Sequence, residues 1–142
     1  MKKLALVLAA TMIASLSFAQ TLKEKGVPAA VKTAFQQKYP NAKETKWEKE
    51  NSNFEAEFEI NETDYSVLID ASGNILETEI EIDNNALPSN VRDYVSKNYS
   101  GQKIKEAAKI TDAKGIVTYE AEIKGEDLLF DSNGNFIKEE KD

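Results

Sequence analysis

Two short segments carry oxygen-bearing side chains at a spacing that could hold a calcium ion. Both read Asp-x-x-Gly-Asn and span residues 70–74 and 131–135. An EF-hand loop, however, needs glycine at its sixth position and a bidentate glutamate at its twelfth, whereas Gly73 and Gly134 stand at the fourth. The same residues suit a tight turn in which Asp accepts backbone hydrogen bonds and Gly takes a positive φ. The pattern predicts hairpin turns and no metal site.

Glutamates alternate with apolar residues along two other segments. Residues 55, 57 and 59 are glutamates in one, and residues 77, 79 and 81 in the other. A period of two is typical of antiparallel strands with one packed and one solvated face, and an intervening strand would show Leu68 beside both rows. We therefore expect an exposed acidic face that binds a basic protein or a cation, with partner-binding residues Glu55, Glu57, Glu59, Leu68, Glu77 and Glu79. The alternative is a solvated face that confers only solubility.

The sequence offers little to a catalytic mechanism. It contains neither histidine nor cysteine, which removes the commonest general base and the commonest zinc ligands. The isolated serines have no positioned base, and no glycine-rich phosphate loop is present. We expect no enzyme, no cofactor and no catalytic residue.

The first residues resemble an export signal. Two lysines precede the apolar run Leu4–Ala14, and Ser17 and Ala19 supply small residues at the −3 and −1 positions of a cleavage site before Gln20. The apolar run is too short to span a bilayer. The pattern predicts a signal peptide over residues 1–19 and a mature periplasmic or secreted chain, residues 20–142, that is not inserted in the membrane.

The net charge of the mature chain limits the classes of molecule that it can bind. Without the two lysines of the leader, 16 basic residues face 25 acidic ones, so the net charge is −9. Such a surface repels nucleic-acid phosphates and anionic lipid. We expect no nucleic-acid partner, and an unknown protein partner that is basic.

The mature chain contains an internal repeat. Three blocks recur in the same order at offsets of 60 to 65 residues: Val27–Val31 with Leu87–Val91, Phe54–Phe58 with Tyr119–Ile123, and Ile69–Ile75 with Phe130–Phe136. The sequence predicts one domain made of two copies, about 26–83 and 86–140.

Each copy opens with apolar residues at every fourth position, which predicts an amphipathic helix. The period then falls to two, which predicts strands near residues 43–49, 53–60, 64–70 and 74–82, and near 103–111, 115–124, 127–131 and 134–139. The apolar residues of the helices and those of the strands can be buried together in an α+β fold. We predict two tandem helix-plus-four-strand repeats that form one antiparallel sheet of up to eight strands, with the helices packed on one face. Trp47 is interpreted as a core residue in preference to an interface residue.

The sequence resembles the PepSY-like, β-lactamase-inhibitor-like periplasmic proteins of Bacteroidetes. Four motifs carry the resemblance: Val27-Pro28, Lys38-Tyr39-Pro40, Lys46-Trp47-Glu48 and Asp70–Asn74. The resemblance covers residues 27–138. It implies a fold similar to that of secreted β-lactamase inhibitors, which bind their enzyme with a concave sheet face, but it transfers no functional residue. Trp47 has only alanine as its counterpart in the second copy.

Together these observations predict an exported soluble binding module, inhibitor-like, that acts through the acidic sheet face. The alternative is a cation-binding or structural envelope protein with no specific macromolecular partner.

Overall fold

The computed structural model describes residues 20–141. The strands are β1 (Gln20–Leu22), β2 (Lys43–Glu50), β3 (Asn53–Ile60), β4 (Thr63–Ile69), β5 (Ile75–Ile82), β6 (Glu106–Asp112), β7 (Val117–Ile123), β8 (Glu126–Asp131) and β9 (Phe136–Lys141). The helices are α1 (Ala29–Lys38) and α2 (Ser89–Asn98), and a 3-10 turn precedes each, at Glu24–Gly26 and Asn84–Ala86. Within these residues no helix is both long and apolar enough to cross a membrane.

The nine strands form one antiparallel sheet in chain order, β1 to β9. The α+β prediction is confirmed, and all eight predicted strands are present within a few residues of their expected bounds. The expected maximum of eight strands is wrong, because β1 adds a ninth by pairing Leu22 with Trp47. Three residues are too few to show a hydrophobic period, so no sequence pattern indicated this strand.

Contacts divide the chain into two compact units between Thr78 and Glu79. We call residues 20–78 the N-terminal unit and residues 79–141 the C-terminal unit, and each is described by itself.

The core of the N-terminal unit lies between α1 and one face of the sheet. Pro28 directly precedes α1, where a missing N–H leaves no bond unmade, and the helix ends at Lys38 before Pro40. Val31 and Phe35 are buried in this core. The Phe35 ring lies edge-on to Trp47, with 5.1 Å between ring centroids. Trp47 is buried, and its interpretation as a core residue is confirmed.

The C-terminal unit has a core of the same kind with smaller side chains on β6. Val91 and Val95 of α2 pack on apolar residues of β6, β7 and β8, and Ala107 is among them. Phe130 is the largest fully buried side chain and lies 5.5 Å from the Tyr94 ring. Burial of such a ring contributes strongly to stability.

The two Asp-x-x-Gly-Asn segments are turns, as predicted. Oδ1 of Asp70 accepts hydrogen bonds from the backbone N–H groups of Ser72 and Asn74, both at 2.9 Å. Asp131 accepts the same two bonds in the C-terminal unit. The hydrogen bond from the Asn74 side chain, together with the backbone bonds, lowers the pKa of Asp70 below its ordinary value. The carboxylate oxygens are thus engaged within the turn itself.

Replacement of Gly73 by alanine is expected to destabilise the protein more than replacement of Gly125. Both glycines have positive φ, so each substitution costs about 1–2 kcal/mol of backbone strain. A Cβ at Gly73 would also lie 2.8 Å from the backbone oxygen of Ala30, whereas one at Gly125 would meet nothing within 4 Å. Urea denaturation of Gly73→Ala and Gly125→Ala measures the difference. Equal losses of unfolding free energy would show that the turn does not press against α1.

Candidate functional site

The predicted partner-binding residues of the N-terminal unit share one side of the sheet. Glu55 pairs with Leu68 and Glu57 with Ser66, whereas Phe54 pairs with Ile69 on the side that α1 covers. We call the opposite side the helix-free face of this unit. The sequence correctly placed Glu55, Glu57, Glu59 and Leu68 together on it.

The predicted exposure is wrong for four of the six predicted partner-binding residues. Glu55, Leu68 and Glu77 retain 5%, 4% and 9% of their accessible surface, and Glu79 retains none. Only Glu57 and Glu59 are half-exposed. The buried four lie on β3, β4 and β5, which have a hydrogen-bonded strand on each side. Glu57 and Glu59 also lie on β3, so an interior strand does not by itself decide burial, and the simple rule of one packed and one solvated face fails here.

Glu55 forms a buried polar pair on this face. The hydroxyl of Ser66 donates a hydrogen bond of 2.6 Å to Oε1 of Glu55. Burial raises the pKa of Glu55 from its ordinary value of 4.5 to about 7, although the Ser66 bond acts in the opposite direction. This carboxyl is thus partly protonated at neutral pH, which removes much of the negative charge expected at the centre of the face.

The C-terminal unit has a helix-free face as well, opposite α2. Ala108 of β6 pairs with Glu120 of β7, and Glu120 pairs in turn with Leu129 of β8. All three are buried, as is Asp127, which is 3% exposed. We call Glu79, Glu120 and Asp127 the carboxyl cluster.

Glu120 has a strongly shifted pKa. Its side chain is 6% exposed, and its Oε2 has no hydrogen-bond partner among the described residues. Burial, and then the nearby charges of Glu79 and Asp127, raise the pKa of Glu120 far above its ordinary value. Ala108, the neighbour of Glu120 on β6, is a small buried side chain that offers it no hydrogen bond. Glu120 is therefore neutral at pH 7.

Sequence reasoning missed Glu120 and Asp127, although signals for both were present. Glu120 occupies the position in the second copy that Glu55 occupies in the first. Asp127 is followed at once by the apolar run 128–130, which is typical of a buried strand.

Partly exposed charged side chains also lie in the C-terminal unit. Nζ of Lys105 lies 3.7 Å from Glu122, and Lys138 contacts Glu140. Across residues 20–141, no group of three or more Asp or Glu side chains has an arrangement that could hold a metal ion.

A separate cavity opens on the helix side of the N-terminal unit. It has a volume of about 440 Å³ and lies between α1, the first 3-10 turn and β2. We call it the aromatic groove, and its walls include Phe35, Tyr39, Pro40 and Trp47, with the charged residues Glu24 and Lys32. Its size is in the range of ligand-binding clefts.

Comparison with known proteins assigns the family. The sequence profile described as "Putative beta-lactamase-inhibitor-like, PepSY-like" matches residues 17–77 and again residues 60–138. The chain belongs to this family. The resemblance seen in the sequence motifs is thereby confirmed. No curated protein matches the chain.

Several solved structures of Bacteroides proteins share the fold. A protein of Bacteroides eggerthii, described as a putative periplasmic protein, has a TM-score of 0.73 at 15% identity and covers 81% of this chain and 88% of its own. A DUF2874 family protein of Bacteroides uniformis has a TM-score of 0.67 at 23% identity, and the match covers 80% of this chain and 88% of that protein. A BLIP-like protein of Bacteroides fragilis has a TM-score of 0.60 at 24% identity, and the match covers 80% of this chain and 86% of that protein. The predicted β-lactamase-inhibitor-like architecture is confirmed, and the predicted location agrees with the first description.

Proposed function

We propose that this protein is an exported periplasmic binding module that docks a basic segment of a partner protein on the helix-free face of its N-terminal unit. The observation that carries the proposal is the layout of that face. Leu68 and the Glu55–Ser66 pair form a buried floor, and the half-exposed carboxylates of Glu57 and Glu59 stand beside it.

This layout resembles the anatomy of protein interfaces. Such surfaces combine a desolvated centre with a charged rim, and rim charges govern association rate and partner choice. Burial raises the pKa of Glu55 to about 7, so docking over this partly protonated carboxyl at pH 7 would desolvate less charge than docking over an ordinary glutamate. Lys43 and Lys46 stand opposite Glu59 and Glu57, so the rim carries both signs, and its carboxylates favour lysine and arginine side chains of a partner.

The proposed mode is inhibitor-like and not enzymatic. The family description and the BLIP-like relative from Bacteroides fragilis support inhibition as the class of function. The absence of histidine and cysteine from the whole sequence supports binding over catalysis. The two predicted partner-binding residues that remain accessible, Glu57 and Glu59, are assigned the contacts with the partner, and Glu77 and Glu79 are not, because they are buried.

We further infer that the chain arose as a tandem duplication. In chain order α1 is followed by β2 to β5, and α2 by β6 to β9. The Asp70 and Asp131 turns make the same pair of backbone hydrogen bonds. The family profile also matches the chain twice. These observations support two copies of one helix-plus-four-strand block.

Site-specific photo-crosslinking tests the proposed binding face. A benzophenone amino acid replaces Glu57 in the exported protein, and the cells are irradiated intact. We expect one discrete adduct, which is lost when Glu59→Lys is added to reverse the charge beside the probe. Charge reversal at a rim residue weakens association without unfolding the chain, because Glu59 is half-exposed.

Gln37 supplies the matched control, because it is exposed on α1, on the other side of the sheet. The benzophenone probe at Gln37 should give no adduct of the same mass. Absence of an adduct from position 57, or an equal adduct from position 37, would disprove docking on this face.

A further inference from the structure

We propose that the aromatic groove and the adjoining edge of β2 bind an extended acidic peptide segment of a partner protein, which adds a strand beside residues 43–46. The groove lies on the helix side of the N-terminal unit, so this inference does not rest on the proposed function of the helix-free face.

The outer edge of β2 is only half covered. β1 pairs with Trp47, Glu48 and Lys49, and no described strand pairs with the outer side of Lys43–Lys46. The backbone N–H and C=O groups of an uncovered edge are a template for an added strand. Thr45 and Trp47 line the groove from this same stretch of β2. A strand added here would therefore lie along the mouth of the groove.

In the C-terminal unit a side chain of the 3-10 turn bonds to the backbone of the segment just before β6. There Nδ2 of Asn84, in the second 3-10 turn, donates a hydrogen bond of 2.9 Å to the backbone oxygen of Ile104. Under the 60-residue offset of the repeat, Glu24 corresponds to Asn84 and Glu44 to Ile104. Glutamate has no side-chain N–H group, so Glu24 cannot donate the hydrogen bond that Asn84 donates.

The alternation of side chains in a strand fixes the pattern of the occupant. Lys43 pairs with Glu59 and Lys46 with Glu57, and a bulge lies between them, where the register shifts and Glu44 takes a positive φ. The bulge places both lysines on the helix-free side of β2, and both are exposed. In a strand added at this edge, one set of side chains would lie beside these lysines and the alternate set would enter the groove. The first set should be acidic, and the second apolar or aromatic, to match Phe35 and Trp47.

The local charge agrees with an acidic occupant. Residues 20–50 contain seven lysines and four glutamates, a net charge of +3, whereas residues 51–142 carry −12. The groove itself includes Lys32 in its wall. The basic part of an otherwise acidic chain thus surrounds the uncovered edge, and it would attract carboxylates.

A peptide titration followed by NMR tests the proposal. The probes are the seven-residue peptide Glu-Val-Glu-Phe-Glu-Val-Glu, its counterpart with lysine for every glutamate, and the acidic peptide with N-methyl groups on alternate backbone nitrogens. We expect only the first to bind nitrogen-15-labelled protein of residues 20–142, with shifts at Thr45 and at the Trp47 indole. The N-methyl peptide should fail because it cannot complete the strand hydrogen bonds.

Charge reversal supplies the matched variants. The double substitution Lys43→Glu with Lys46→Glu should weaken the acidic peptide at least about tenfold, because two favourable cross-strand pairs become repulsive. Lys97→Glu with Lys114→Glu, at exposed sites in the C-terminal unit, should change its affinity less than about twofold. No binding of the acidic peptide at about 1 mM, equal binding of the lysine peptide, or equal effects of the two double variants would overturn the proposal. Shifts at Thr45 and Trp47 that grow with protein concentration alone would place a second copy in the groove and also overturn it.

Discussion

Glu120→Gln is expected to flatten the decline in stability that the protein shows as pH rises. Glu120 is buried beside Glu79 and Asp127, and its raised pKa keeps it protonated in the folded state when it is already ionised in the unfolded chain. The unfolded chain then binds fewer protons than the folded one. The free energy of unfolding therefore falls as pH rises above the ordinary value of 4.5, by up to about 1.4 kcal/mol per pH unit.

Between pH 5 and pH 8 Glu120 accounts for about 4 kcal/mol of this loss. The glutamine side chain of the variant cannot ionise, so the variant should lose about that much less than the wild type and keep the smaller loss that Glu55 contributes through its pKa of about 7. Urea denaturation at several pH values gives the slope, and the slope is independent of any constant cost of burying the amide. Glu122→Gln is the control, because Glu122 is half-exposed on the same strand and lies near Lys105. Parallel slopes for wild type and Glu120→Gln would refute the protonated state.

Phe130→Ala is expected to remove about 3–5 kcal/mol of unfolding free energy. The ring is fully buried in the core of the C-terminal unit, and it lies 5.5 Å from Tyr94 and 5.8 Å from Phe136. Its loss leaves a cavity that the surrounding strands cannot close, so transfer and cavity costs add. Such a loss is a large part of the stability of a small domain.

Phe136→Ala is the matched control for this substitution. The Phe136 ring also packs on Tyr94, at 4.7 Å between centroids, but 37% of its surface is exposed on the edge strand β9. We expect a loss of about 1 kcal/mol, measured by the same denaturant titration. Equal losses for the two variants would show that Phe130 does not lie in the core.

The elements of the fold could be predicted because local pattern and tertiary packing agree in them. The four-residue spacing of Val27, Val31 and Phe35 predicted α1, and the same spacing predicted α2. Alternation predicted the strands, and turn chemistry predicted the bonds of Asp70. Strand β1 was missed because three residues carry no period, and its pairing with Trp47 depends on tertiary context alone.

The candidate site was predicted less well than the fold. Alternation places Glu55 and Glu57 on one side of β3, but it cannot show that the first is buried and the second half-exposed. Both residues have the same flanking strands, so burial depends on the individual side chains around each position, and these follow from the register of the strands. The interaction of Glu79 with Glu120 could not be predicted either, because it joins residues of two strands that are not neighbours in the sheet. The aromatic groove likewise depends on how far β1 extends along β2.

The account rests on carboxyl groups that are buried in the centre of the helix-free faces and are held wholly or partly protonated there. A carbon-13 NMR titration of glutamate side-chain carboxyl carbons measures this directly. We predict that the Glu120 signal keeps the shift of a protonated carboxyl through pH 7 and that Glu55 titrates with a pKa of about 7, while Glu122 serves as the half-exposed reference on the same strand as Glu120. Titration of Glu120 and Glu55 near the ordinary value of 4.5, as in an unstructured peptide, would contradict the account.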